Sequence, residues 1–322
     1  MADLPPLSTQ NTRGSMSSVP MHEVEPSPFD DYDNAEGPDY PTNPSDIEAS
    51  KLPPSSHSTT NWLGLTHART IHILSGVQKY SVIPFSAYLT MHYTNTALIP
   101  LVTRSAREAD KYLLLTRPYY QSFPLEPLLI FVPVITHVAS GIALRLYRRS
   151  IAARRHGAET LSQRRKMKSK IPWPKLSLTS AAGYALYPMF IAHVLSMRII
   201  PKKVDGSSAS VGLRYFAHGI AQDPYIGMAG YTLFVGFASY HVVSGAAKFL
   251  RLSADYIIGG GEDGRIRRIW RRRIVNGVAA TMASLWIAGG LGVVGTAGRG
   301  IGWEASHWDK IYRAVPVIGG MF

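Results

Sequence analysis

The sequence predicts an all-α membrane protein: five transmembrane helices with an internal two-helix duplication, preceded by a disordered N-terminal tail. Three observations predict it. Five stretches reach the roughly 20 mostly apolar residues that a helical crossing requires. One pentapeptide occurs twice, as His137-Val138-Ala139-Ser140-Gly141 and His241-Val242-Val243-Ser244-Gly245, each inside such a stretch. Composition breaks near residue 65, from acidic and Pro-rich to apolar and basic.

The tail, 1–65, comes first. Residues 1–60 hold ten prolines, ten acidic residues and two basic ones, Arg13 and Lys51, a net charge of 2 − 10 = −8. Such a segment cannot bury enough apolar surface to offset its ordering entropy. It lacks the basic and apolar regions of a secretory signal and is too acidic for a mitochondrial presequence.

The membrane domain, 66–300, holds the five stretches. The first runs from about Ile71 to Val102, with Gln78, Lys79 and His92 inside it and Pro84 as a predicted kink. The others cover about Pro127–Tyr147, Leu178–Ile200, Gly227–Leu250 and Ile274–Ala297. In the last, Gly289, Gly290, Gly292 and Gly295 suit close helix approach. The repeat offset is 241 − 137 = 104, and without a gap it also aligns Tyr80 with Tyr184, Pro84 with Pro188 and Leu129 with Leu233. That length is two crossings and their connection, a parallel repeat. The C-terminal segment, 301–322, is short and amphipathic, and its Trp303, Trp308 and Tyr312 read as an interfacial anchor.

Charge sets the orientation. The connection Arg145 to Lys175 carries eleven basic residues and one acidic, and Lys248 to Arg273 carries eight and three. The alternate connections are nearly neutral. The two basic loops and the tail are therefore expected in the cytosol and the C-terminus on the far side. The basic excess flanks apolar spans, so its expected contacts are anionic membrane lipids and not nucleic acid. The absence of cysteine excludes disulfides and thiolate metal sites.

Ionisable groups within a membrane are costly and mark candidate sites. His137 and His241 lie in parallel helices, seven to eight residues from their first cytosolic charges, at about 11 Å depth. Facing imidazoles at one depth suit axial ligation of a haem b iron. Gly141 and Gly245 would make room for the macrocycle, while Ser140 and Ser244 bond it or turn back onto their helices. The alternative is that both histidines are packing groups bonded across helices. His72, His92 and His193 read as interfacial. No soluble catalytic constellation occurs, so the expectation is a non-enzyme. A small lipid or solute path between the repeats is a further possibility.

Two resemblances follow from these residues. His72-Ile73-Leu74-Ser75-Gly76 and His137-Val138-Ala139-Ser140-Gly141-Ile142 resemble elements of the succinate dehydrogenase cytochrome b anchor, which implies haem ligation by His137. The chain departs from that pattern after Ile142. More broadly, the acidic tail, five spans and duplicated H-x-x-S-G helices resemble the fungal mitochondrial outer-membrane adapters, named for complementing loss of an outer-membrane β-barrel morphology protein. That resemblance implies outer-membrane localisation with the C-terminus in the intermembrane space, and a role in lipid homeostasis. It also implies recruitment of a bridge-like lipid-transfer protein of the vacuolar-protein-sorting class through a P-x-P motif. The matching residues here are Pro26 and Pro28 in Pro26-Ser27-Pro28, with Val24 just before them.

Overall fold

A computed structural model describes residues 64–158, 160–167 and 173–321, and every element among them is helical. Val24, Pro26 and Pro28 lie outside the described residues. The helices are α1 His67–Tyr80, α2 Val82–Tyr93, α3 Ile99–Thr103, α4 Ala106–Thr116, α5 Val132–Arg155 and α6 Leu161–Lys166. They continue as α7 Leu178–Val194, α8 Ile200–Asp205, α9 Leu213–Ile220, α10 Pro224–Phe249, α11 Gly261–Trp286 and α12 Trp303–Arg313.

Local chemistry accounts for many of the helix starts. Side-chain oxygens of Thr66, Ser105, Ser177 and Asp223 accept backbone N–H groups of Arg69, Glu108, Ser180 and Ile226. Each satisfies a donor that the first turn leaves unpaired. Thr160 and Gln163 form a reciprocal capping box on α6.

Four helical stretches are long and apolar enough to cross a membrane: Pro127–Arg154, Leu178–Asp205, Pro224–Tyr256 and Gly261–Gly295. Ile135, Leu233 and Val278 on them are exposed, as lipid-facing side chains should be. The predicted first crossing is helical but built in pieces. α1 stops at Ser81, α2 follows, and a π-helical turn, Thr94–Leu98, leads into α3. Further π-helical stretches occupy Pro127–Phe131, Leu195–Ile199 and Ile287–Gly295.

α1 packs on α5, α7 on α10, and α10 on α11. The 94–98 turn crosses 287–295 so closely that a Cβ on Gly289 would lie 2.0 Å from the Ala97 carbonyl oxygen. Of the four glycines predicted for close approach, Gly289 and Gly290 meet backbone, Gly295 meets the flexible end of Met228, and Gly292 has its nearest neighbour at 3.8 Å.

At the end away from the basic loops, α4, α9 and α12 form a small cap. Tyr215 and Ile311 are fully enclosed there with Trp308 and Tyr312. The aromatic anchor predicted from sequence is thus divided. Trp308 and Tyr312 pack inside the protein, Tyr312 stacked on Tyr215 at 4.4 Å, and Trp303 alone of the three is exposed. Stacking on another aromatic while donating a hydrogen bond, Tyr312 Oη to the Tyr215 carbonyl, satisfies both ends of the side chain.

Candidate functional site

The structure brings His137 and His241 together, with ring centroids 6.0 Å apart. Each ring is oriented by a backbone carbonyl on an earlier helix, α1 for His137 and α7 for His241. Nδ1 of His137 lies 3.0 Å from the Gln78 oxygen, and Nδ1 of His241 lies 2.9 Å from the Thr179 oxygen. A carbonyl accepts only, so both Nδ1 atoms carry the proton and both Nε2 atoms keep a free lone pair. That is the tautomer of a metal-ligating imidazole held by an outer partner.

The remaining predicted residues divide. Ser140 Oγ donates to the Thr136 carbonyl at 2.7 Å and Ser244 Oγ to the Tyr240 carbonyl at 2.5 Å, so both turn back onto their own helices. Gly245 faces open space, whereas a Cβ on Gly141 would lie 2.7 Å from the Gln78 amide nitrogen. For a haem at this pair, the ligand nitrogens fit and Gly245 leaves room. Beside Gly141 the Gln78 amide stands where the macrocycle edge would go.

A second pair was not singled out by its sequence. His92 on α2 and His193 on α7 also have ring centroids 6.0 Å apart. The sequence reading placed them at the interface, but the structure sets both in the wall of an internal chamber. Tyr88 stacks on His92 at 5.4 Å and Phe234 lies against His193 at the same separation. Nδ1 of His193 is buried without a hydrogen-bond partner. The two pairs sit at two levels of the bundle. From Gln78 to His92 is 92 − 78 = 14 residues, and from Thr179 to His193 is 193 − 179 = 14. At 1.5 Å per residue the levels are roughly 21 Å apart.

The same chamber is lined by Arg117, Glu126 and Arg198. Arg198 grips both carboxylate oxygens of Glu126 through Nε and Nη2, Nη2 to Oε2 at 2.6 Å, and its Nη1 reaches Ser208. Arg117 is buried, and its hydrogen-bond partners are Gln121 at 3.0 Å and Ser208, neither of them charged. Burial pulls its guanidinium below the ordinary value, yet an arginine remains charged throughout the working pH range. No group of three or more His, Cys, Asp or Glu side chains able to hold a metal ion occurs among the described residues.

Residues 188–299 match the family model described as the MDM10-complementing protein 1, transmembrane domain. That stretch is similar to the MCP1 transmembrane domain. The chain is also 24% identical over 214 residues to the mitochondrial adapter protein MCP1 of Saccharomyces cerevisiae (strain ATCC 204508 / S288c), over 58% of this chain and 66% of that protein. The chain is therefore similar to an MCP-type adapter over part of its length. No solved structure matches it.

The MCP1 domain match contains one histidine of each pair, His193 and His241, together with Arg198 and the π-helical stretches 195–199 and 287–295. Their partners His92 and His137 lie before it, as does Arg117.

Proposed function

We propose that this protein is a mitochondrial outer-membrane adapter that supports lipid homeostasis and mitochondrial organisation at membrane contact sites. In this reading the 1–65 tail is disordered and cytosolic and recruits a bridge-like lipid-transfer protein of the vacuolar-protein-sorting class. The contact residues are Val24, Pro26 and Pro28. The helical part serves as a five-crossing anchor of two parallel repeats, not as an enzyme, and leaves the C-terminus in the intermembrane space. The observation that supports this reading is the MCP1 match over 188–299, with an adapter as relative. Prolines restrict the unbound tail to extended conformations, which lowers the ordering cost of binding. Val24 adds an apolar contact, and the acidic neighbours favour a basic groove.

The test is Pro26→Ala with Pro28→Ala, expressed from the native locus. The double mutant should reach mitochondria as before and lose the lipid-transfer protein from them. Undiminished recruitment by a correctly localised mutant would sink the motif.

The tautomer at His137 and His241 favours a second reading, a haem b held between them. In that reading His137 and His241 would hold the group, and it would supply one-electron chemistry. His137→Ala or His241→Ala should each abolish low-spin ligation. If neither changes the spectrum, the two histidines are packing groups.

A further inference from the structure

We propose that residues 23–40 of this chain dock on the outward face of α11, against Ile266, Trp270 and Ile274 and between Arg267 and Arg273. The contact rests on the proposed placement of the tail and the basic connections on one side of the membrane.

The face is defined by what the other arginines do. Arg268 donates to the Gly259 carbonyl at 3.1 Å, and Arg271 to the Arg251 and Ser253 carbonyls at 3.3 Å. Both therefore turn toward the connection that precedes α11. Ile266, Trp270 and Ile274 follow at i, i+4 spacing on another side of the helix. They are 41%, 57% and 60% exposed. Arg273 lies 5.8 Å from the centre of the Trp270 ring, and Arg267 reaches back to the Asp263 carbonyl at 3.4 Å. Arg265 is ion-paired with Glu262, whereas Arg267 and Arg273 have no ion pair among the described residues. The result is an apolar, aromatic stripe with a cation on each flank.

Lipid alone does not account for this stripe. α11 and its π-helical continuation run from Gly261 to Gly295, so Ile266 stands 295 − 266 = 29 residues from the far end. At 1.5 Å per residue that is roughly 44 Å, against a hydrocarbon core of about 30 Å. The turn around Ile266 thus projects past the hydrocarbon on the basic side. Headgroup phosphates there would satisfy arginine and leave Ile266 in water. A segment that carries both carboxylates and rings satisfies both.

Residues 23–40 have that chemistry. They hold seven of the ten acidic residues found in 1–60 and no Lys or Arg, interleaved with Val24, Phe29, Tyr32 and Tyr40. Against them, residues 264–273 hold six arginines and no acid. The other basic connection has more charge, but its Trp173 already carries Arg149 at 3.6 Å. The reach is sufficient. The described chain starts at Gly64, and His67 Nδ1 meets Tyr147 Oη at 2.7 Å, beside Arg148 and Arg149, so it enters at the basic end. Tyr80 of α1 touches Phe249 of α10, which packs on α11. Two interaxial steps of 8–10 Å are about 20 Å, whereas the 23 residues 41–63 span at most roughly 75 Å. Tethering holds the two surfaces at an effective concentration near the millimolar range, so a modest attraction is enough. Residues 23–40 include Pro26-Ser27-Pro28, so the docked segment withholds the recruiting motif until a partner competes for it.

The chain has no cysteine, so an introduced pair reports without background. Full-length protein carrying Tyr32→Cys and Ile266→Cys is reconstituted in phosphatidylcholine vesicles and mildly oxidised. The rate of intramolecular disulfide formation is then read by mass spectrometry. Coupling should slow about fivefold or more in Arg267→Gln/Arg273→Gln and at raised salt. Asp30→Asn/Asp31→Asn/Asp33→Asn alters no helix and should slow it equally, which separates lost attraction from a misfolded α11. Coupling no faster than that of Tyr32→Cys with Ser162→Cys on α6 would overturn the proposal, because the attraction would then be unspecific. Coupling abolished when about one lipid in five is phosphatidylserine would also overturn it, by giving the face to headgroups. An impermeant maleimide on each single-cysteine variant tests the premise, and labelling from opposite sides would remove it together with the contact. Normal coupling combined with undiminished recruitment by Pro26→Ala/Pro28→Ala supports the contact and rejects the recruiting motif alone.

Discussion

Asp110 on α4 accepts the Leu213 backbone N–H at 2.8 Å and so caps a helix from another part of the chain. Burial raises its carboxyl above the ordinary carboxylate value, outweighing the Leu213 hydrogen bond and the attraction of Arg117 and Arg214. The sign of the linkage follows. At acid pH the group is neutral in both folded and unfolded chains. As pH rises, the unfolded chain ionises first, so folding stability falls until the raised folded value is passed and is flat above it. Asp110→Asn keeps an oxygen for Leu213 and cannot ionise. Its thermal midpoint in detergent should exceed the wild type's at pH 7, and the gap should close toward pH 4. A gap that widens toward acid would refute the burial argument. In the cap, Gly300 donates its N–H to Nδ1 of His218 at 3.1 Å, so Nε2 carries the proton and donates to Asp309 at 2.8 Å. His218→Leu leaves a buried N–H unpaired and should cost about 2 kcal/mol in denaturant unfolding. The sequence announced His137 and His241 because their pentapeptides match. It hid His92 and His193 because their neighbours differ, Tyr93-Thr94-Asn95 against Val194-Leu195-Ser196, and because their offset is 193 − 92 = 101, not 104. The signal available was the shared His-x₇-Pro spacing, His92 to Pro100 and His193 to Pro201, both prolines fully buried. Arg117 carries no motif at all, and only packing reveals that it is buried against Gln121 and Ser208.

The four apolar helices were legible as elements because apolar runs of membrane length are rare in other contexts. Their ends were not. The last was expected to start near Ile274, yet α11 begins at Gly261, because the arginine-rich stretch before it is helical too. Apolarity reports where a helix meets lipid, whereas capping and backbone bonding decide where it stops. The π-helical stretches were also invisible, since no simple side-chain pattern distinguishes them from α-helix. At this scale the crossing of 94–98 over 287–295 is the most demanding contact. Gly289→Ala places a methyl group against backbone that no rotamer change can move, and it should cost about 1–3 kcal/mol or force the helices apart. Gly292→Ala, three residues along and meeting only an ordinary contact at 3.8 Å, should be close to neutral or slightly stabilising. Thermal unfolding of the two variants in the same detergent checks the pair. Equal losses would mean that helix propensity, not the crossing, sets the value.

Across the whole molecule, charge is sorted to one end. Arg145 to Lys175 carries 11 − 1 = +10 and Lys248 to Arg273 carries 8 − 3 = +5, on connections that the helix order puts on one side. Parts of this surface are ordered by their own charges. Arg149 lies 3.6 Å from the Trp173 ring, and Arg145 donates to the Pro174 carbonyl at 2.9 Å. Elsewhere arginines stay exposed, as Arg265 does while paired with Glu262. At the opposite end basic and acidic residues are more evenly mixed, with ion pairs between Arg214 and Glu304 and between Arg198 and Glu126. Moving the basic loops through a bilayer would desolvate more than a dozen cations, whereas the alternate connections carry fewer cations, mixed with carboxylates. The expected arrangement is basic loops and tail in the cytosol and α12 in the intermembrane space. Protease added to intact mitochondria should remove an N-terminal epitope and spare one placed after Phe322, and rupturing the outer membrane should expose the second. If 67–103 instead lies along the surface without crossing, the C-terminal epitope stays protected while the N-terminal one becomes protected too. Loss of the C-terminal epitope from intact organelles would reverse the orientation and remove the physical basis for a cytosolic recruiting tail.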